Sequence, residues 1–200
     1  MLLEQALLEV VRMRVLDLGC GEGRDLLTWN VAPSDEVTGV DIDGARITAA
    51  REHFPGRTYR QPFAAASFDR VISNISVPYM DIAKAFTEAH RVLLPGGRLS
   101  ISVHRWNFTM TELRNCFPKP IPTLFRLYVI ANGIIFHCTG RTVRSFNGRT
   151  ESFQTERGLR IALCRAGFEN IAFSEWGDGR FVVEACKRKY AQVSGLATAA

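Results

Sequence analysis

The chain lacks any uninterrupted apolar run of the roughly 20 residues that a membrane-spanning helix needs. Its longest mostly apolar stretch, Ile121 to Phe136, covers sixteen residues and carries Arg126, which argues against an integral membrane protein. The five cysteines, at 20, 116, 138, 164 and 186, are odd in number and include no C-x-x-C pair. A disulfide framework and a zinc site are both disfavoured, and a reducing, cytoplasmic setting fits best. Repeats and low-complexity tracts are missing, apart from the small-residue end Ser194 to Ala200, and residues 190–200 are expected to fray. At the other end, Glu4 and Glu9 precede every basic residue, the wrong polarity for a secretory signal. Two hundred residues, 46% apolar and 22% charged, lie near the globular average, so wholesale disorder is excluded. The length suits one α/β domain with a full core, expected over residues 1–189.

Acidic side chains are scarce in one place. Between 103 and 150 there is one acid, Glu112, against seven Lys/Arg, whereas the rest of the chain holds 18 basic and 19 acidic residues. The net charge of +5 therefore belongs to one segment and not to the whole surface. That segment also holds seven of the twenty aromatics and the K-P-I-P turn at 119–122. It is too long for an ordinary connection, so it reads as a functional insertion, a cap over the carboxyl end of the strands.

Elsewhere, short β-branched runs alternate with helical spacing. RVLDL at 14–18, EVTGVD at 36–41, FDRVIS at 68–73, RLSISV at 98–103, ENIAF at 169–173 and RFVVEAC at 180–186 read as strands. Ile82, Phe86, Ala89 and Leu93 form one helical stripe. Leu159, Ala162, Leu163 and Ala166 form another, stopped by Gly167. Strands alternating with helices imply crossovers and a doubly wound, mainly parallel sheet.

The chemical signal is V-L-D-L-G-C-G-E-G-R at 15–24, a strand entering a glycine-rich turn, with Leu26, Leu27 and Trp29 as apolar positions of a helix behind it. Glycines allow close backbone approach to a ligand, and the N–H groups of a following helix point at it. Eighteen residues past Gly23, a second strand ends in Asp41, whose carboxylate can accept both hydroxyls of a ribose. A dinucleotide fingerprint would need its third glycine at 24, where Arg24 stands. Asp17, two residues before the first glycine, suits a cationic ammonium better than a pyrophosphate. The ligand implied is a nucleoside bearing an amino acid.

These residues resemble the class I S-adenosylmethionine-dependent methyltransferases, particularly the small-molecule branch that includes the ubiquinone/menaquinone-biosynthesis type. The likeness covers about residues 14–103 and 152–186 at five ordered points: VLDLGCGEGR, VTGVDID, PFAAASFDRVISN, EAHRVLLPGGRLSISV and TERGLRIALCRAGFENI. It implies a Rossmann-like, seven-stranded sheet, with the cap inserted after the strand at 98–103. It also implies S-adenosylmethionine as cofactor, with Gly19, Gly21 and Gly23 forming its turn. Asp17 would stand near the methionyl ammonium, Asp41 on the ribose and Ile42 on the adenine, while Asn74 would line the methionyl side. Cys20 would be a small filler. Two features depart from the family. No acid lies between Glu52 and Asp69, leaving Gln61 to accept from the adenine amino group, and the N-terminal helix is reduced to about a dozen residues.

His104, just past a strand at the carboxyl edge, is the candidate general base; its bland alternative is a loop histidine satisfied by backbone. His90 and His53 read as structural, and the adjacent His137 and Cys138 make no metal set, so no metal is expected. Trp106, Phe108, Phe125, Tyr128 and Phe136 form either a substrate wall or the cap's own core. Arg114, Lys119, Arg126, Arg141, Arg144 and Arg149 are candidates for an anionic partner, with a solvated face as the alternative. Trp106, Arg141, Arg144 and Arg149 are taken as the acceptor residues. N-I-S-V-P-Y at 74–79 is not the Asn/Asp-Pro-Pro-aromatic motif of nucleobase-methylating relatives, so nucleic acid falls behind small molecules. The function expected is methyl transfer to a small, apolar acceptor with an anionic group, with peripheral contact to an anionic membrane surface as a second use of the cap. A degenerate cofactor-binding domain with an assembly role, or a nicotinamide-dependent oxidoreductase, stands as the alternative.

Overall fold

Val71 and Ile72 are neighbours in sequence yet belong to different cores, because successive side chains of a strand point to opposite faces. The computed structural model describes residues 12–58, 63–145, 148, 150–177 and 179–189. Its strands are β1 (Arg14–Leu18), β2 (Glu36–Val40), β3 (Phe68–Asn74), β4 (Leu93–His104), β5 (Phe168–Trp176) and β6 (Arg180–Lys187). They form one sheet in the order β2-β1-β3-β4-β6-β5. All neighbouring pairs from β2 to β4 are parallel, and β6 alone runs against the rest. The sheet is thus Rossmann-like and mainly parallel, but six-stranded among the described residues, not seven-stranded. In place of a further strand beside β2 there is a single parallel bridge, Thr38 to Thr58, just before residues 59–62, which lie outside the description.

The helices are α1 (Gly44–His53), α2 (Ile82–Val92), α3 (Trp106–Cys116), α4 (Pro120–Thr139) and α5 (Glu156–Arg165). Three begin at a side-chain cap. Asp43 accepts from the Ala45 N–H, Asp81 from the Lys84 N–H and Thr155 from the Gly158 N–H. The stripe Ile82, Phe86, Ala89 and Leu93 enters the main core, joined by Leu159, Ala162 and Leu163 of α5 and by Val71, Leu99 and Ile101 of the sheet. The opposite face is covered through Leu26 and Trp29, the latter edge-on to Trp176 at 5.0 Å between ring centres. The P-G-G turn at 95–97 lies inside β4 as a bulge, where the partner of Phe68 is Leu93 and that of Arg70 is Arg98.

The helix expected behind the glycine turn is only a 3-10 segment, Arg24–Trp29. Asn30 adopts a left-handed conformation (φ 50°) at its end, and Pro33 bars a longer helix. A segment this short is no platform for an anion, which corrects the role given above to its N–H groups.

Residues 103–150, expected as an inserted cap, contain α3 and α4. Pro120 opens α4 and left-handed Gly140 (φ 65°) closes it. Its twenty residues exceed the sixteen-residue apolar stretch, making it long and apolar enough, by length and composition, to cross a membrane. Its inner side is nevertheless seated on the body, where Val129, Asn132, Gly133 and Phe136 are buried. Gly158 of α5 marks the closest approach, since a Cβ there would lie 2.6 Å from the Phe136 ring and 2.7 Å from its carbonyl oxygen. Gly158→Ala should accordingly destabilise the fold by about 1–3 kcal/mol in denaturant titration through overpacking. An unchanged midpoint would mean that α4 and α5 are not packed at this distance.

Candidate active site

The chain runs from β1 outward to β2 and returns to β3 on the other side of β1, so the switch point of the sheet lies between β1 and β3. Ligands of open α/β sheets bind outside the carboxyl ends of the strands at such a point. The glycine turn stands there. Gly19, Gly21 and Gly23 have φ of 74°, 51° and 80°, a region that side chains other than glycine's enter at a cost. The turn is fastened to the end of β2. Gly19 and Cys20 N–H groups donate to the Val40 carbonyl at 2.8 and 2.9 Å, and the Gly21 N–H donates to Asp41 Oδ2 at 2.8 Å.

Asp41 has more to do than the sequence indicated. Its second oxygen accepts from the Asp43 N–H at 2.9 Å, so it binds the turn as well as facing outward. A carboxylate has about four acceptor sites, so capacity for ribose hydroxyls remains. Ile42, next along, is fully exposed, as a side chain meant for an adenine face would be before a ligand covers it. Asp17 is 1% exposed beneath the turn. Gln61 lies outside the described residues, as do residues 1–11 with the shortened N-terminal helix. Burial, with Asp17 and Asp41 nearby, pushes the Cys20 thiol up to about 12, so it stays protonated and inert.

The turn is open on one side and filled on the other. A Cβ on Gly21 would meet nothing nearer than an Arg46 nitrogen at 3.8 Å, whereas one on Gly19 would lie 2.4 Å from the Ser76 side chain and 3.2 Å from Met80. Ser76, which the sequence reading passed over, donates to the Leu18 carbonyl at 2.9 Å and pairs with the Ser73 hydroxyl at 2.7 Å. Asn74, at the end of β3, accepts from the Ser102 hydroxyl through its side-chain oxygen. Between Asn74 and Ser76, Ile75 holds φ 57°, a strained position for a β-branched residue. An acceptor carboxylate (Asp41), an exposed apolar side chain (Ile42) and open space over Gly21 fit the nucleoside half of S-adenosylmethionine. On the other side of the turn, Ser76 and Met80 pack against Gly19.

Residues 76–80 then lead to a second hollow. Pro78 and Tyr79 line it with His104, Phe108, Glu112, Arg126, Val129 and Glu151. The His104 ring stacks on Phe108 at 4.1 Å between centres. Burial and the Arg180 cation hold its pKa below the ordinary value, against a smaller opposing pull from Glu112. Arg126 is held between two carboxylates. It pairs with Glu112 and, at 2.5 Å, with Glu151. Burial alone would lower its pKa, but Glu151 and Glu112 outweigh it and raise the net value. Arg126 is thus not an unneutralised cation of the cap. The charge count that ended at Thr150 stopped one residue short of its partner Glu151.

The other acceptor candidates stand elsewhere. Trp106, Arg141 and Arg144 are exposed and do not line this hollow, and Arg149 lies outside the described residues. Phe136 is fully buried in the main core, which corrects its place in a substrate wall. A larger hollow of about 280 Å³, lined by Arg14, Glu36, Thr38 and Phe63 among others, sits at the amino ends of the strands, the edge that such folds do not use for ligands. Among the described residues, no three His, Cys, Asp or Glu gather as a metal site.

A glycine turn thus stands at the switch point of the sheet, with an acid at the next strand end and a lined hollow beyond it. Residues 16–101 match the family model described as a methyltransferase domain. It is 38% identical over 107 residues to a malonyl-(acyl-carrier protein) O-methyltransferase of Erwinia pyrifoliae, a match covering 50% of this chain and 38% of that protein. A demethylmenaquinone methyltransferase of Chlorobaculum parvum is 33% identical over 91 residues, 42% of this chain and 38% of the relative. The chain thus spans well under half the length of these curated relatives. A solved S-adenosylmethionine-dependent methyltransferase from Mesorhizobium loti shares the fold with a TM-score of 0.57 and 21% identity, over 93% of this chain and 96% of that one.

Two glycine substitutions should separate ligand contact from folding. Gly21→Ala places a methyl group in open space and should weaken S-adenosylhomocysteine binding at least tenfold, with about 1–2 kcal/mol of backbone cost. Gly19→Ala meets Ser76 and should instead lower the unfolding midpoint markedly. Equal effects of the two on stability, with no change in binding, would contradict the arrangement.

Proposed function

We propose that the chain transfers the methyl group of S-adenosylmethionine to a small, largely apolar acceptor seated in the hollow headed by His104. The carrying observation is the continuity of segment 76–80. Its Ser76 and Met80 pack on the glycine turn, while its Pro78 and Tyr79 line the acceptor hollow. When bound, the cofactor supplies an electrophilic methyl on a sulfonium, and the departing thioether needs no proton. The chain's own contribution is then alignment and exclusion of water. Asp41, Ile42 and the glycine turn fix the nucleoside, with Gln61 proposed at the adenine edge, and Asp17 and Asn74 are proposed on the methionyl side.

His104 is proposed as the base for the acceptor's nucleophile. Its lowered pKa keeps the ring neutral, and so able to accept a proton, at pH 7. The hollow measures about 20 Å³, so seating an acceptor there requires a lining side chain to move, and Phe108, stacked on His104 and 41% exposed, is the one we propose. Because Arg126 is already matched by two carboxylates, the hollow offers an anionic acceptor no unmatched charge. We therefore place the apolar body of the acceptor in the hollow and leave the exposed Arg141 and Arg144, with Trp106, on the surface outside it.

The pH profile of methyl transfer tests this assignment. His104→Ala should reduce turnover about 10²- to 10⁴-fold with cofactor affinity intact. In the unsubstituted chain, the rate should fall only as pH drops through a value below about 6.5, the ordinary histidine pKa. Arg180→Gln removes a repelling cation, so it should move that acid limb to higher pH. An acid limb that is unmoved by Arg180→Gln and persists in His104→Ala would exclude His104 as the base.

A further inference from the structure

We infer that the outer face of α4 docks on an anionic lipid bilayer, with the helix lying flat in the headgroup region. Ile121, Leu124, Leu127 and Ile134, spaced at three, three and seven residues, are all exposed together with Ile135, Ile121 at 81% and Leu124 at 70%. Phe117, three residues before the helix, is also exposed, at 74%. Scattered exposed leucines need no explanation, but a continuous helical stripe does. The helix is about 30 Å long at 1.5 Å per residue, so the stripe covers a large apolar area.

Charge says what covers it. No acidic residue occurs from 113 to 150, while exposed Arg114 and Lys119 precede the helix and exposed Arg141 and Arg144 follow it. The two flanking acids, Glu112 and Glu151, are both turned onto Arg126. An apolar stripe with cations at both ends and no acid is the composition of a helix that sinks shallowly among anionic headgroups. A protein partner matched to this rim would have to be acidic around an apolar centre, whereas an anionic bilayer supplies both features everywhere on its surface.

The helix lies on the membrane and does not span it, because its other side is fastened to the body. Asn132 donates to the Glu151 carbonyl at 2.9 Å and accepts from the Val143 N–H at 2.7 Å, and its neighbour Gly133 has no room for a Cβ against Phe153. Docking itself is independent of the proposed reaction. Its link to function rests on that reading, since Arg126 and Val129 on the inner side of α4 line the acceptor hollow. An apolar acceptor dissolved in the bilayer would then meet the site at the membrane surface.

Co-sedimentation of the whole chain, without cofactor or acceptor, with phosphatidylcholine vesicles and with vesicles that also contain phosphatidylglycerol tests docking separately from methyl transfer. Binding is expected to the anionic vesicles, to fall with added salt, and to be much weaker on phosphatidylcholine alone. Arg141→Gln with Arg144→Gln should weaken it about tenfold or more. Leu124→Glu with Leu127→Glu should abolish it while circular dichroism and the unfolding midpoint stay unchanged. Equal binding to both vesicle types, or none to either, overturns the inference. So does a concentration-dependent dimer in light scattering that Leu124→Glu dissolves, because the face would then be covered by a second copy of the chain.

Discussion

Three hydrogen bonds from the first glycine turn to the end of the neighbouring strand hold the site in place. The Val40 carbonyl accepts from Gly19 and Cys20, and Asp41 accepts from Gly21. They join β1 and β2 just where the sheet's winding reverses, and the turn can be made only with left-handed backbone at its glycines. From there the arrangement propagates. Ser76 leans on Gly19 and on the Leu18 carbonyl, which sets the path of residues 76–80, and these form one wall of the hollow beneath α3 and α4. Asp41 is therefore a structural acceptor for the turn, and the proposed ribose contact would be a second duty for the same carboxylate.

Most of the sheet was legible because its strands are short β-branched runs whose alternate residues enter two cores. All six strands proposed from sequence are present, and their bounds differ mainly where β4 absorbs the Pro-Gly-Gly bulge and β5 begins earlier and runs on to Trp176. The glycine turn was legible for a different reason, since three glycines at alternate positions have few other uses. The seventh strand that the family likeness implies is not found among the described residues, where a single bridge, Thr38 to Thr58, leads to residues 59–62 outside the description. The 3-10 segment at 24–29 was not legible. Leu26 and Trp29 have helical spacing, but Asn30 and Pro33 leave room for no more than about two turns.

Charge pairing was the least legible feature. Arg126 and its partners lie fourteen and twenty-five positions apart in sequence, so no local pattern joins Glu112, Arg126 and Glu151. Counting charges by segment gave the insert a surplus that belongs, in the folded chain, to its outer ends. The same holds for its aromatics, since Phe136 is core while Trp106 and Phe117 face outward. Folding sorts one composition into an inner side that lines a hollow and an outer side that remains apolar and fringed by cations. That division separates the two uses that the insert's composition suggested together.

The methyl-transfer reading depends on an adenosyl ligand occupying the space over Gly21. Calorimetric titration of the whole chain with S-adenosylhomocysteine, run beside NADH, tests this most directly. The account predicts saturable one-to-one binding of S-adenosylhomocysteine and no heat of binding with NADH. Binding of NADH, or of neither compound, would contradict it.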